Sequence, residues 1–290
     1  MQFAMDYVRQ SLRCNNNEVM LVTHYLLANL GYDVRLAKSN DNISLLVPTC
    51  DGQTIYEMGY IMLSGRKYYI VGDISSGTFS TYDIPKDVDC GRTFDMQIKT
   101  GLNLPYKAHS FRLHGANITI TGEVNENAIK VIDSYPGLSI PMCASCIIDK
   151  KSREIVLRQL KNAIDGMTQV QAVNTILHFI HGLNYLTDDQ QFGREKYFYF
   201  EETLFYPACD CEDRSIFFSY VIKELLGLDV HLLFYPGHCA TAVRLTDMVN
   251  GDYYMWKGKK YVICDPTYIG ANIGMCMPQY KKIQPEVLNP

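Results

Sequence analysis

Two short passages of this chain occur twice, in the same order. Residues 30–36 read LGYDVRL and residues 226–232 read LGLDVHL; further on, residues 65–73 read GRKYYIVGD and residues 258–265 read GKKYVICD, one residue shorter. Each passage stands in the same setting: an apolar pattern of helical period, a glycine stop, then short strands that finish on a Lys–Tyr strand and an aspartate. Two matches in one order point to an internal duplication. That limits the fold more than any composition figure does, because the chain must build one architecture twice within 290 residues.

The local patterns say what the repeated architecture is. Apolar residues at i, i+3 and i+4 predict helices over 5–12 and 17–30, with Gly31 as the stop, and again over 152–166, 168–182 and 211–226, the last closed by Gly227. Thr168 is placed to cap the fourth of these. Strands are expected at YDVRLA, NISLLVP, YIMLS and KYYIVGD in the first half, and at DVHLLFY, ATAVRL, YYMW and KYVICD in the second. Between the halves, residues 80–140 read as strand-like, with ITITGE and AIKVIDS separated by Gly, Asn and Pro. The expectation is an α+β protein in three parts: a first repeat at 1–88, a β-rich linking segment at 89–147 and a second repeat at 148–290.

Composition narrows the function. The net charge is −4 with no Lys/Arg-rich block, which argues against nucleic acid or an anionic membrane as partner. No apolar run reaches the ~18 residues of a membrane span. The opening MQFAMDYVRQS lacks the basic and apolar regions of a signal peptide, so the chain reads as cytoplasmic as written; its abrupt start suggests a missing upstream piece, and with one the protein would be exported or periplasmic. The ten cysteines do not have the spacing of a disulfide scaffold, and most read as core residues, for example Cys239 and Cys264. A single CxxC (Cys143, Cys146), a CxC (Cys209, Cys211) and a helical pair His178/His181 do not amount to a zinc site. No metal and no cofactor is expected.

One cysteine is placed to react. Cys211 stands at the start of the 211–226 helix, where unsatisfied N–H groups and the positive end of the helix dipole favour a thiolate. A nucleophile of this kind needs a base and the base needs an orienting group. His238 follows a Pro-Gly turn at the start of a strand, and Asp265 ends another strand before Pro266. The duplication serves as a control. Aligned on the glycines, Cys211 falls opposite Asn15 and His238 opposite Asn42, while Asp265 falls opposite Asp73 in the second matched pair. The first copy therefore holds the fold without the cysteine and histidine.

The passages CEDRSIFFSYVIKELLGLDV, GHCATAV and CDPTY resemble the three motifs of the transglutaminase-like superfamily, a papain-like fold with a Cys–His–Asp triad; the match covers roughly residues 165–275. The whole chain is also similar to transglutaminase-domain proteins of Bacteroidetes type, which tend to be longer at the N-terminus and exported. The resemblance implies that Cys211 is the nucleophile, His238 the base and Asp265 the orienting acid, and that the first repeat is a degenerate version. It implies acyl chemistry on a peptide or protein substrate: hydrolysis of an amide or peptide bond first, transfer to an amine as the alternative, and a binding or scaffold module with a vestigial triad as the rival from another class. Three features depart from the family pattern. Ala240 replaces an aromatic two residues after the histidine, and Glu212 and Asp213 put negative charge beside the thiol. The backbone N–H of Cys211 is one expected oxyanion donor, with Tyr206 of the FEETLFYP stretch considered for the second.

Overall fold

A computed structural model describes residues 2–72, 78–82 and 91–288. The chain is α+β, with 34% helix and 27% strand, and it divides into two units, Met1–Met96 and Gln97–Pro290.

The first unit has two helices, α1 (Gln2–Leu12) and α2 (Asn16–Asn29), followed by strands β1 (Arg35–Ser39), β2 (Asn42–Pro48), β3 (Tyr60–Leu63), β4 (Arg66–Val71) and β5 (Ser80–Thr81). Asn15 caps α2 in a reciprocal box with Glu18. The strands form one antiparallel sheet in the order β3-β4-β2-β1-β5. Val19 and Met20 of α2 pack against Leu45 and Val47 of β2.

The second unit opens with a hairpin, β6 (Ala108–Gly115) and β7 (Ile118–Asn125). Six helices follow: α3 (Glu126–Asp133), α4 (Ile140–Ser145), α5 (Lys150–Ala163), α6 (Gln169–His181), α7 (Asp188–Phe192) and α8 (Glu202–Phe205). Helix α9 (Cys211–Leu226) then leads into β8 (Asp229–Tyr235), β9 (His238–Arg244), β10 (Tyr253–Trp256), β11 (Lys259–Cys264) and β12 (Glu286–Leu288). These last strands form a sheet in the order β10-β11-β9-β8-β12, again antiparallel throughout.

Replacing α2 and β1–β5 by α9 and β8–β12 one for one reproduces the strand order of the first unit, so the duplication read from two short passages extends over a helix and five strands. Asn42 begins β2 as His238 begins β9, each paired with the residue across its turn, Ser39 and Tyr235. The caps shift the helix register by one. Asn15 caps α2 as Asp210 caps α9, which sets Asn16, not Asn15, opposite Cys211. Asp73 lies outside the described residues.

The segment from 89 to 147 is divided between the units, and the part beyond Met96 supplies β6, β7, α3 and α4 to the second. AIKVIDS, expected as a strand, lies in α3 apart from its last residue, Ser134. Its β-branched residues suggest a strand, but Asn125 caps the segment, and Ala128, Ile129 and Ile132 bury one helical face.

Helix α9 is buried on nearly all sides from Cys211 to Ile222, as expected of a central core helix. It packs on β8 and β9, with α4, α5 and α6 around it. Its C-terminus is the expected left-handed glycine, Gly227 at φ 63°. The hairpin is fixed to α6 by backbone-to-backbone contact. A Cβ on Gly115 would stand 1.9 Å from the carbonyl oxygen of Phe179, and one on Gly182 would stand 2.4 Å from the Cα of Gly115.

Candidate active site

The start of α9 is built by a reciprocal cap. The Asp210 side chain accepts from the Asp213 N–H and the Asp213 side chain from the Asp210 N–H. Asp213 also accepts from the N–H of Phe198, at 2.9 Å. This cap holds Cys211 as the first residue of the helix, 7% exposed. Its own N–H and that of Glu212 have no acceptor among the described residues, as the first turn of a helix leaves them.

His238 is set by the hairpin between β8 and β9. Pro236 and Gly237 form its two-residue turn, Gly237 at φ 71°, and Tyr235 pairs with His238 across it. The buried imidazole lies flat against Tyr280, centroids 5.1 Å apart and 9° between planes. Its Nε2 donates to Oδ2 of Asp265 at 2.8 Å. That places the proton on Nε2 and leaves Nδ1 as the basic nitrogen. Asp265 follows β11 directly, and β11 is paired to β9. Its other oxygen accepts from the N–H groups of Thr267 and Tyr268, at 2.9 and 3.2 Å. Both carboxylate oxygens are thus occupied and the group is fixed in direction.

Of the three sequence candidates, then, His238 and Asp265 are in direct contact, 27 residues apart in the chain. Cys211 begins α9, which packs against the same strand, β9. Its thiol, however, donates to Oε2 of Glu212 at 2.9 Å, not to the histidine ring. Burial first, and then the Glu212 charge, push the Cys211 thiol well above its ordinary range. The resting state here is a protonated thiol held by a carboxylate.

Searches among known proteins return nothing: no family model, no curated protein and no solved structure matches this chain. The site therefore stands on its own geometry.

Four further residues belong to this geometry, of which the sequence drew attention only to His178 and His181, as a helical pair short of a metal site. His181 donates from Nε2 to the backbone carbonyl of Asp265 at 3.0 Å, and His178 to that of Ala271 at 3.1 Å. The helical pair clamps the loop that follows the acid; their i, i+3 spacing showed a shared face but not what the face meets. Tyr185 is the third. Burial first, then Cys211, Asp210 and Glu212, push its phenol upward, while Arg214 sits 5.1 Å over its ring. The Tyr206 hydroxyl instead faces Asp133 and Lys196, at 3.3 and 3.2 Å. Glu201 is the fourth. It accepts from Arg153 at 2.6 and 2.9 Å and from the N–H groups of Ile148 and Asp149 at 3.0 and 2.9 Å, tying the segment before α8 to α5.

Among the described residues, the side chains close enough to share an ion are those of Asp188, Asp210 and Asp213, their oxygens within 4.8 Å of one another. The mutual cap and the N–H of Lys196, which donates to Asp188, account for much of this closeness. Burial, then Glu212 and Asp188, raise Asp210 from 3.8 to about 8. The folded state thus binds a proton that the unfolded state releases near 3.8. This contribution to stability is complete below about pH 4 and is lost as pH rises through about 8. Asp210→Asn keeps a good N-cap and removes the titration. Its unfolding free energy should lose a downward slope of a few kcal/mol in total between about pH 4 and about pH 8, read from denaturant unfolding across that range. An unchanged slope would assign the proton elsewhere.

Proposed function

We propose that Cys211, His238 and Asp265 are the triad of a transglutaminase-like thiol enzyme of papain-like architecture, acting on amide or peptide carbonyls. The observation that carries this reading is the 2.8 Å bond from His238 to Asp265, made beside a cysteine at the N-terminus of a buried helix. The acid fixes the tautomer whose Nδ1 takes a proton. In the working state the Cys211 side chain leaves Glu212, gives its proton to Nδ1 and attacks the carbonyl carbon through sulfur. The N–H of Cys211, at the first turn of α9, receives the developing oxyanion. The imidazolium returns the proton to the leaving amine as the C–N bond breaks. Water then hydrolyses the thioester, or an amine takes the acyl group.

Hydrolysis is the favoured outcome, because no sequence motif marks a site for a second, amine substrate. A second reading has a specific observation behind it: the thiol bonded to Glu212 suits a binding module that has stopped catalysing. Alkylation separates the two. Under the catalytic reading, iodoacetamide modifies Cys211 faster than every other cysteine at neutral pH, and His238→Ala slows it roughly ten- to a hundredfold. Slow, uniform labelling that ignores His238→Ala would sink the triad. Incubation with a diverse peptide pool, with and without an added amine, then tells cleavage from transfer.

A further inference from the structure

The β6–β7 hairpin has two outer edges, treated differently. Its turn, Ala116–Asn117, has φ 44° and 64° between the paired residues Gly115 and Ile118, the two-residue form in which the flanking pair is hydrogen-bonded. Pairs then alternate, so the backbone N–H and C=O groups of Ser110 and Arg112 point away from β7. The same phase turns Thr121 and Asn125 outward on β7, and there the edge is closed. Gln159 accepts from the Thr121 N–H at 3.3 Å and donates to its carbonyl at 2.8 Å, while Asp149 accepts from the Asn125 N–H at 3.0 Å. On β6 the outward groups of Ser110 and Arg112 have no partner among the described residues.

That open edge forms one wall of a groove of about 440 Å³. The segment 203–209, which runs directly into Asp210 and Cys211, also lines it, as do residues 182–184, next to Tyr185. The lining contains Arg112, His109 and His114 and no carboxylate. Arg112 is exposed and makes no ion pair among the described residues. An unpaired strand edge is a template for another strand. One lined by an arginine and no carboxylate favours a strand carrying anions.

We infer that this groove binds an extended polypeptide with acidic side chains, which adds to β6 as a third strand and leads along the 203–209 segment to Cys211. The inference rests on the acyl-transfer reading and names its substrate class. The bonds fall on the main chain at Ser110 and Arg112, so sequence tolerance is broad. Selectivity comes from carboxylates beside Arg112.

The test is fluorescence anisotropy on the full chain carrying Cys211→Ser, so that nothing is turned over. The probe is a fluorescein-labelled decapeptide of alternating Val and Glu. It should bind saturably. Methylating its alternate backbone nitrogens, or replacing Glu by Lys, should weaken binding about tenfold or more. Ser110→Pro removes an outward N–H without touching the β7 ladder and should weaken it similarly. Arg112→Glu, an exposed change that leaves the fold alone, should reverse the Glu-over-Lys preference. Absence of saturable binding, a methylated peptide that binds as well as its parent, or an Arg112→Glu protein with unchanged preference would each overturn the inference. Failure of the triad is seen separately: the Val–Glu peptide would still bind, while Cys211 in the unmutated chain would alkylate slowly whether or not His238 is present.

Discussion

Asp265→Asn should slow acylation of Cys211 by p-nitrophenyl acetate about 10⁴-fold while leaving the unfolding midpoint nearly unchanged. Asp265 uses its two oxygens for different purposes. Oδ1 accepts from Thr267 and Tyr268 and holds the turn after β11; an asparagine oxygen can keep both bonds. Oδ2 accepts from Nε2 of His238; an asparagine NH₂ in its place donates instead. The imidazole must then carry its proton on Nδ1, the nitrogen needed as base. The defect is a wrong tautomer in an intact scaffold, so rate and stability separate. A rate within about tenfold of the parent protein would mean that His238 does not act through this acid.

The second large effect is on stability. Glu201→Ala should destabilise the second unit by about 3–5 kcal/mol, read from chemical denaturation. Arg153 is 1% exposed and Glu201 is fully buried, so removing the carboxylate strands a guanidinium where water cannot reach it. The backbone N–H groups of Ile148 and Asp149 lose their acceptor in the same step. The rings of Tyr220 and Phe200, 4.3 and 5.0 Å from the guanidinium carbon, soften the loss but do not neutralise the charge. The paired change Arg153→Met with Glu201→Leu should cost much less than the single one, because it strands no charge. Equal costs would show that packing, not the unpaired cation, dominates.

Much of the scaffold could be read along the chain because its signals are local. A glycine stop, a run of helical period and a Pro-Gly turn each act within a few residues, which is why α9, β8, β9 and β11 fall where the patterns put them. The strand expected at AIKVIDS failed for an equally local reason: Ile and Val weighed more in the reading than the Asn125 cap, which decides the backbone. The site was only partly legible. Residue types and order suggested Cys211, His238 and Asp265, but the contact between the last two depends on β9 pairing with β11. Glu212 read as unhelpful charge next to the thiol; only folding shows that the carboxylate takes the thiol's hydrogen bond. His181 meets Asp265 across 84 residues, a separation at which periodicity carries no information. The unpaired edge of β6 follows from what does not pack beside it, which no pattern within β6 expresses.

The duplicated first unit also supplies an internal standard. Cys14 and Cys50 belong to it, both partly accessible and both unbonded to another sulfur. Asparagine stands where the second unit has its cysteine and histidine. In a single alkylation mixture they report ordinary thiol chemistry on the same molecule, under identical dose and time. Mass-spectrometric ratios of the Cys211 peptide to the Cys14 and Cys50 peptides thus measure how much the second unit alters sulfur reactivity, free of errors in concentration.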